Sequence, residues 1–304
     1  MWNMKVYLIG LGALGAVLAE HLSRGGLSII ADPARAARLR AEPVHINGRT
    51  LDVTICSPED SVTIPADLII VAVKWAQLPA AIAAMRPFVG AQTIILSAMN
   101  GIESEAVLGA AFGADKLLYG FSVEVDAVRQ GHVITYSRPG TLVFGEALNN
   151  PPSARVAAIK AHFDFCGLPS RVPENMQREL WWKFLLNVSV NQVTAVLRMP
   201  YGVFREGNEH VRALVRDSGR EVVALARAEG IGLTDEDIET FFPILARLDP
   251  EKKTSMLQDV EAGRVTENEM LGEAVLRKCA AHGLAAPVNG WLARLIAALD
   301  SRAG

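Results

Sequence analysis

Three polar residues, Lys183, Asn187 and Asn191, are spaced four residues apart in a segment, about 177–196, that has no glycine or proline. The segment is otherwise densely apolar, which predicts a largely buried helix. Each step of four residues advances the helical wheel by only about 40°, so the three side chains share one stripe. A buried amide without a partner costs on the order of 1–3 kcal/mol, and a buried ammonium costs more. The stripe therefore needs partners. Protein groups are one alternative, and a ligand is the favoured one because three polar groups converge there.

A glycine-rich loop follows the first predicted strand, which covers residues 5–9. The loop consists of Gly10, Leu11, Gly12, Ala13, Leu14 and Gly15. A predicted helix over residues 16–24 and a second strand over residues 27–31 complete a strand–helix–strand unit. In this context the glycine spacing is typical of a dinucleotide site. The first glycine permits the tight turn, the second lets a pyrophosphate approach the helix N-terminus, and the third lets the helix lie close to the sheet.

Asp32 ends the second predicted strand, 22 positions after Gly10. An acidic residue at this place hydrogen-bonds the 2′-hydroxyl of the NAD ribose, so Asp32 favours NAD(H). The alternative is that Asp32, followed by Pro33, only caps the next helix. Arg35 and Arg38 lie just beyond and could reach the 2′-phosphate of NADP(H), so the choice of cofactor stays open at this point.

The alternation of strands and helices continues through the first half of the chain. Strands are predicted over 67–73, 93–96, 117–123 and 168–172, and helices over 76–85, 104–112 and 151–166. A hairpin is predicted over 131–136 and 141–144. Lys74 and Asn100 follow two of the strands, at the carboxyl edge where ligands bind in such sheets. Lys74 could pair with cofactor phosphate or ribose, or be a solvated loop lysine, and Asn100 with Gly101 could form only a turn.

From residue 174 onward the pattern predicts helices alone, one of them running from Thr266 to Gly283. The predicted fold class is therefore α/β, with an N-terminal Rossmann-type doubly wound sheet followed by an all-α C-terminal domain. The predicted domains are residues 1–173 for dinucleotide binding and residues 174–304 for substrate binding and catalysis.

The bulk properties exclude several classes of function. A formal charge of −3 over 304 residues gives no electrostatic footprint for nucleic acid. No apolar run approaches the roughly 18 residues of a membrane span, and residues 1–5 leave no room for a signal peptide before the first strand. Three dispersed cysteines and six histidines without ligand spacing predict neither disulfides nor a metal site. We expect a soluble, cytoplasmic protein.

The chain resembles the ketopantoate reductase (2-dehydropantoate 2-reductase) family from Lys5 to about Pro287. The resemblance rests on four matches in order: the glycine-rich loop; Val73-Lys74 and Asn100-Gly101; Trp182-Lys183 with Asn187 and Asn191; and residues 254–259 with Thr266-Glu267. The last two are far more diagnostic than the first.

The resemblance implies a role for each matched residue. Lys183 is implied as the catalytic acid, and Glu267 is predicted to be catalytic as well, although a first-turn acid favoured by the helix dipole is the alternative. The implied substrate-binding residues are Asn187, Asn191 and Ser255, and the implied cofactor contacts include Lys74 and Asn100. Ser255 alone would be unremarkable, since it could be a helix cap.

The family's activity is then the expected function: NAD(P)H-dependent reduction of ketopantoate, or a close branched 2-oxo acid, to the D-2-hydroxy acid in pantothenate biosynthesis. NADP(H) is the family's cofactor, and a homodimer is expected from the family. Three positions depart from the family pattern. Asp32 stands where the family carries arginine, and this difference affects the expected choice between NAD(H) and NADP(H). Met99 and Tyr201 affect which substrate is expected.

The chemistry agrees with these residue types. An ammonium in a cleft can stabilise the oxyanion that forms when a ketone is reduced and can deliver its proton, particularly if burial lowers its pKa. Ser255 and Asn191 are candidates for binding the substrate carboxylate, and Asn187 for orienting the substrate together with Lys183.

Three alternatives are kept. One is an NAD-dependent D-2-hydroxyacid dehydrogenase with another substrate. A second is a β-hydroxyacid-type dehydrogenase, which is disfavoured because residues 179–182 before Lys183 contain no glycine. The third is a non-catalytic dinucleotide-sensing protein, in which the Lys183 stripe would have been lost, but the stripe is intact.

Overall fold

The computed structural model describes residues 4–60 and 65–302. Two compact units divide the chain, Met1–Gln177 and Arg178–Gly304. Residues 1–3, on which the expectation about a signal peptide partly depends, lie outside the described residues. Residues 303–304, at the end of the predicted second domain, also lie outside them.

The first unit contains every strand that the structure describes. The strands are β1 (Val6–Ile9), β2 (Ser28–Ile30), β3 (His45–Ile46), β4 (Arg49–Thr50), β5 (Thr54–Cys56), β6 (Leu68–Val71), β7 (Ile94–Ser97), β8 (Leu117–Val123), β9 (Val128–Gln130), β10 (Val133–Thr135), β11 (Thr141–Gly145) and β12 (Ser170–Arg171). The helices of this unit are α1 (Ala13–Leu22), α2 (Pro33–Ala41), α3 (Leu78–Met85), α4 (Ser104–Phe112) and α5 (Ala154–Cys166). Short 3₁₀ turns cover Ser23–Gly25, Trp75–Gln77, Arg86–Phe88 and Ala114–Lys116.

The main sheet has the strand order β12-β11-β8-β7-β6-β1-β2-β5. Six neighbouring strands are parallel, in the order β8-β7-β6-β1-β2-β5. β11 is antiparallel to β8. All residues of β1 and β6 are buried, as expected for central strands covered on both faces. The chain moves from β1 outward to β2 and β5, then returns to β6 on the other side of β1. This reversal creates a topological switch point, where the ligands of such sheets bind.

The predicted hairpin between residues 131–136 and 141–144 is wrong. β10 forms its hairpin with β9 and belongs to a small second sheet of order β4-β3-β10-β9. β11 instead pairs with β8 in the main sheet. Gly140 explains the difference, because it has φ +70° and an added Cβ there would lie 2.3 Å from the Val123 carbonyl. The segment before β11 is thus pressed against the end of β8.

The small sheet packs on α1. Ile46 of β3 and Ile134 of β10 are buried in the same apolar cluster as Leu18 of α1. The Tyr136 hydroxyl, next to β10, donates a hydrogen bond to the Glu20 carboxylate on α1. These contacts fix the small sheet against the helix that follows the glycine-rich loop.

The rest of the chain is helical in the residues that the structure describes. Its helices are α6 (Met176–Leu186), α7 (Gln192–Leu197), α8 (Gly202–Arg205), α9 (Glu209–Ala228), α10 (Asp235–Glu239), α11 (Phe241–Leu245), α12 (Ser255–Glu261), α13 (Gly272–Ala281) and α14 (Pro287–Asp300). A π-helical turn covers Asn187–Asn191 and a 3₁₀ turn covers Asn268–Met270. The prediction of a mixed α/β class, with a parallel N-terminal sheet and a helical C-terminal region, is confirmed. Among residues 4–60 and 65–302, no helix has both the length and the apolar character needed to cross a bilayer.

Candidate active site

The polar stripe lies on a helix that changes its winding at the stripe itself. The predicted helix is observed as α6 and α7, joined by the π-helical turn Asn187–Asn191. The side chains of Ser189, Gln192 and Thr194 each donate to the carbonyl oxygen four residues earlier, at 2.7, 2.9 and 2.8 Å. These bonds go to backbone carbonyls in and beside the wider turn, a local pattern common for such side chains in helices. Single π-helical turns inside α-helices are frequent at functional sites.

The two asparagines of the stripe differ from these neighbours. Asn187 is 5% exposed and Asn191 is 8% exposed. No hydrogen bond joins either side-chain amide to another residue within the described parts of the chain, whereas Ser189, Gln192 and Thr194 all have protein partners. Since buried amides are normally hydrogen-bonded, this arrangement favours a ligand as the missing partner.

Lys183 precedes the π-helical turn by one helical turn and is half-buried. Burial lowers the pKa of Lys183, the nearby negative charge of Glu267 partly opposes this effect, and the resulting pKa is about 8. An ammonium with this pKa is protonated at neutral pH, yet it releases a proton more readily than a surface lysine. The structure therefore brings Lys183 and Glu267 close enough to interact electrostatically.

Glu267 is not in the first turn of a long helix, so the predicted start of this helix at Thr266 is wrong, whereas its predicted end near Gly283 agrees with α13. A 3₁₀ turn, Asn268–Met270, follows Glu267, and α13 begins only at Gly272. The alternative that Glu267 is merely a first-turn acid of that helix loses its basis. Thr266 itself is hydrogen-bonded to the last residue of α14, Asp300.

Both neighbours of Glu267 are anchored to α14. The N–H and the hydroxyl of Thr266 donate to the Asp300 carboxylate at 3.0 and 2.8 Å. The side-chain amide of Asn268 donates to the Ala293 carbonyl at 3.0 Å. Glu267 thus occupies a loop whose position is fixed on either side, which suits a residue that must hold its charge near Lys183.

Ser255 is the first residue of α12 and is exposed. The cap of α12 is its neighbour Thr254, whose hydroxyl accepts from the Leu257 N–H at 3.3 Å. The Thr254 hydroxyl also lies 2.9 Å from the hydroxyl of Thr194 on α7. This bond ties the start of α12 to the helix that carries the stripe. No hydrogen bond among the described residues joins the Ser255 side chain to the stripe, so its role in substrate binding stays a prediction.

The glycine-rich loop of the first unit requires glycine at two places for steric reasons. Gly10 has φ +102°, and an added Cβ would lie 2.3 Å from the Ala72 carbonyl. An added Cβ at Gly15 would lie 1.8 Å from the Gly10 carbonyl. Gly12 differs, because an added Cβ would meet nothing within 4 Å. The backbone at Gly12 therefore faces open space, as a site for a close-lying phosphate requires.

The N-terminus of α1 also fits a dinucleotide. Gly12 is the N-cap residue and supplies no capping side chain. Ala13 and Leu14 open the helix, and the N–H groups of a first helical turn have no partner within the helix. These N–H groups and the positive end of the helix dipole suit a pyrophosphate.

The predicted cofactor residues outside the loop share one edge of the sheet. Asp32 follows β2, Lys74 follows β6 and Asn100 follows β7, while the loop itself follows β1. These four strands are adjacent and parallel, so their carboxyl ends meet at the same edge. Lys74 is exposed and Asn100 is half-buried. The topology thus collects these positions where a dinucleotide would lie.

Asp32 caps α2, as the alternative interpretation of this residue expected. Its Oδ1 accepts from the Arg35 N–H at 2.9 Å, and Pro33 occupies the first helical position. Capping uses one carboxylate oxygen and leaves Oδ2 for other contacts. That Asp32 binds the ribose hydroxyl stays a prediction.

Sequence reasoning did not consider Arg129, which is the central residue of β9. Its guanidinium donates to the Leu11 carbonyl in the glycine-rich loop. Arg35 donates to the same carbonyl from α2 at 3.5 Å, whereas Arg38 is exposed. Arg129 is 118 positions from Leu11. No local motif signals such a contact, and the hairpin that carries it was mispredicted.

Comparison with known families supports the resemblance along nearly the whole chain. A family model described as "Ketopantoate reductase PanE/ApbA" matches residues 6–149. The model of the corresponding C-terminal part, "Ketopantoate reductase PanE/ApbA C terminal", matches residues 175–300. The two models thus cover both the glycine-rich loop and the Lys183 stripe.

Individual relatives agree. A 2-dehydropantoate 2-reductase of Halobacterium salinarum is 29% identical over 301 residues, covering 96% of this chain and 98% of that protein. A dimeric ketopantoate reductase from Staphylococcus aureus has a TM-score of 0.81 at 22% identity, covering 98% of this chain and 99% of the other. A D-mandelate dehydrogenase solved with NADH has a TM-score of 0.87 at 20% identity, covering 99% and 100%. At these identities the two solved structures show a shared fold.

Proposed function

Since this chain belongs to the ketopantoate reductase family, we propose that it reduces ketopantoate, or a close branched 2-oxo acid, to the D-2-hydroxy acid. It is an oxidoreductase of the 2-dehydropantoate 2-reductase type that acts on a CH–OH group and uses a nicotinamide dinucleotide. One observation supports the proposal most. Asn187 and Asn191 are buried without a described protein partner, on the same helix as the Lys183 ammonium.

The proposed chemistry places the proton donor at Lys183. When bound, the nicotinamide supplies the hydride for the ketone carbon. The Lys183 Nζ donates a hydrogen bond to the ketone oxygen and transfers its proton as negative charge develops there. A pKa of about 8 lets this group act as an acid at neutral pH and recover a proton from solvent between turnovers.

Glu267 supports the acid without acting as one. Its negative charge raises the pKa of Lys183 against the effect of burial. The protonated form of Lys183 is therefore more populated at neutral pH than burial alone would allow. The anchored loop around Glu267 keeps this charge in place.

The remaining polar groups bind the 2-oxo acid. The Asn191 amide and the Ser255 hydroxyl donate to the substrate carboxylate, and Asn187 orients the ketone toward Lys183. Uncharged donors suit this task because the neighbouring ammonium already supplies the positive charge that attracts an anionic substrate.

The preferred hydride donor is NADPH, as the family resemblance implies. Asp32, at the end of β2, favours NADH instead. Open space at Gly12 and the uncapped N-terminus of α1 fit either dinucleotide.

The proposal includes a homodimer formed through an apolar face of the helical unit. This face, called the apolar face below, is lined by eight side chains of α7, α9 and α14: Val193, Val196, Leu197, Leu214, Val288, Trp291, Leu292 and Leu295. Trp291 is 67% exposed and Leu295 is 47% exposed. Contiguous exposed apolar surface of this kind marks an interaction site. The dimeric Staphylococcus aureus relative supports a second copy of this chain as the occupant.

The test of the proposed function is steady-state oxidation of NADPH and of NADH with ketopantoate and a panel of branched and aromatic 2-oxo acids. We expect kcat/KM for ketopantoate, or for one close branched acid, to exceed that for aromatic acids at least tenfold. A tenfold preference for an aromatic acid would overturn the substrate assignment and leave the enzyme class intact. Tight dinucleotide binding with no turnover of any 2-oxo acid would support the sensing alternative instead.

A further inference from the structure

The guanidinium groups of Arg129 and Arg35 meet at one backbone carbonyl. Arg129 reaches the Leu11 oxygen from β9 of the small sheet, and Arg35 reaches it from the first turn of α2. Arg129 also donates through Nε to the Gly131 carbonyl at 2.8 Å. Within the described parts of the chain, neither guanidinium forms an ion pair with a carboxylate. Two positive charges therefore converge on a neutral oxygen.

This convergence is electrostatically unfavourable without an anion. Burial lowers the pKa of Arg129, and the charge of Arg35 lowers the pKa of Arg129 further. Both causes describe a cation held in surroundings that disfavour its charge. Each guanidinium has five N–H donors, so most remain for another acceptor. Paired arginines with spare donors are well suited to a phosphate, which they bind through parallel N–H···O bonds.

Contacts other than those of Arg129 also hold the small sheet in place. The buried side chain of Ile134 and the bond between Tyr136 and Glu20 already fix this sheet on α1. His132, in the turn after β9, also lies 2.9 Å from the Glu42 carboxylate beyond α2. The small sheet is thus fixed to α1 by several contacts, and Arg129 reaches the loop from it.

The position identifies which phosphate the pair would bind. Arg35 follows Asp32 by three residues, and Asp32 ends β2, where the adenosine ribose of a dinucleotide lies. The pyrophosphate has a different place, at the N-terminus of α1. We propose that Arg129, together with Arg35, binds the 2′-phosphate of adenosine and so makes this chain select NADP(H) over NAD(H). The two guanidinium charges offset the carboxylate of Asp32, which would otherwise repel that phosphate.

The experiment measures binding by isothermal titration calorimetry without any 2-oxo acid, so its outcome is independent of turnover. The ligands are adenosine 2′,5′-bisphosphate and AMP, which differ only in the 2′-phosphate. The inference relies on the proposed function only through the dinucleotide. We expect the native chain to bind the bisphosphate at least tenfold more tightly than AMP at low salt.

The variants are Arg129→Gln and Arg35→Gln, with Arg49→Gln as the matched control. Arg49 is an exposed arginine on β4 of the same small sheet. We expect R129Q and R35Q each to reduce the preference for the bisphosphate at least tenfold and R49Q to leave it within twofold. The preference of R129K for the bisphosphate should lie between those of R129Q and the native chain, because lysine keeps the charge but lacks the planar guanidinium.

Three results would overturn the inference. The first is an equal affinity of the native chain for both ligands. The second is an unchanged preference in R129Q. The third is an equal loss of affinity for AMP and the bisphosphate in R129Q and R129K, which would assign Arg129 to the 5′-phosphate or to the fold. A failure to reduce any 2-oxo acid would contradict the proposed function and leave these binding results unaffected.

Discussion

At the scale of single residues, the proposed chemistry depends on Lys183 and its electrostatic surroundings. Burial and the charge of Glu267 act on its pKa in opposite directions, and the balance lies at about 8. A pKa near the working pH is favourable for a general acid, because the group must be protonated before the reaction and release its proton during it. The buried amides of Asn187 and Asn191 supply polarity without adding a competing charge.

Replacing Lys183 by methionine tests its role as acid. Methionine keeps an unbranched side chain and removes the ammonium. We expect kcat to fall by about 10²- to 10⁴-fold, the range of general acid catalysis. Dinucleotide affinity, measured by fluorescence titration, should stay near that of the native chain. Lys160→Met on α5 is the control, since Lys160 pairs with Asp164 one helical turn away. A native turnover number in the Lys183→Met variant would remove Lys183 from catalysis.

The pH dependence of reduction follows from the same pKa. The acid must be protonated, so kcat/KM for reduction should be constant below about pH 8 and fall as pH rises through this value. Glu267→Gln removes the charge that raises the pKa of Lys183, so the fall should move to lower pH. Steady-state rates between pH 6 and 10 measure both profiles. A profile that rises through pH 8, or that is unchanged in Glu267→Gln, would contradict the assignment.

At the scale of elements, the site depends on departures from regular structure. The π-helical turn Asn187–Asn191 carries the two asparagine amides for which residues 4–60 and 65–302 supply no hydrogen-bond partner. Glu267 lies in the loop between α12 and α13, just before a 3₁₀ turn, and the loop after β1 needs glycine at Gly10 and Gly15 for space. Side-chain hydrogen bonds accompany the first two departures, as expected where function requires a conformation that propensity alone would not choose.

Alanine substitutions at two glycines of the loop are expected to have opposite effects on stability and dinucleotide binding. Gly15→Ala places a Cβ 1.8 Å from the Gly10 carbonyl, so we expect it to destabilise the fold by at least about 1–3 kcal/mol. Gly12→Ala meets no protein atom and has an extended backbone, so its free energy of unfolding should fall by less than about 1 kcal/mol. Its dinucleotide affinity should nevertheless fall at least tenfold, because the methyl group occupies the phosphate's approach.

Urea unfolding and dinucleotide titration of the two variants measure these effects, and each variant is the control for the other. Native dinucleotide affinity in the Gly12→Ala variant would show that no phosphate lies close to this backbone. Native stability in the Gly15→Ala variant would show that the loop can move away from α1.

At the scale of the whole molecule, the two units contain different parts of the proposed chemistry. The first contains the glycine-rich loop and the arginine pair, and the second contains the Lys183 stripe and the apolar face. A single helix, α6, begins in the last residues of the first unit and continues into the second. The exposed tryptophan of the apolar face, Trp291, is the most direct point at which to test assembly.

Trp291→Glu should convert a dimer into a monomer. A charge at the apolar face would have to be buried without a partner in the dimer, which is unfavourable. Light scattering after size-exclusion chromatography should give twice 32.7 kDa for the native chain and 32.7 kDa for the variant. Phe165→Glu is the control, since Phe165 is 70% exposed on α5 of the other unit. A dimer that persists in Trp291→Glu would place the interface elsewhere.

Short-range sequence patterns predicted several elements of this protein. Runs of buried apolar residues predicted β1 and β6, and glycine spacing predicted the loop between β1 and α1. Four-residue spacing predicted that Lys183, Asn187 and Asn191 share one helix, and the family resemblance and the fold class were confirmed. The strands and the helix could be predicted because side-chain directions repeat about every two residues in a strand and every four in a helix. The buried face of such an element is therefore visible in a short stretch of sequence.

Contacts between distant segments decided the rest. The loop that holds Glu267 is fixed to α14 by the hydrogen bonds from Thr266 to Asp300, 34 positions away. The predicted hairpin fails because β11 pairs with β8. Arg129 meets the glycine-rich loop only because the small sheet packs on α1. The sequence by itself determined the class of fold and the chemical groups available. Only the tertiary structure determined which charges lie together, since that depends on packing between residues far apart in the chain.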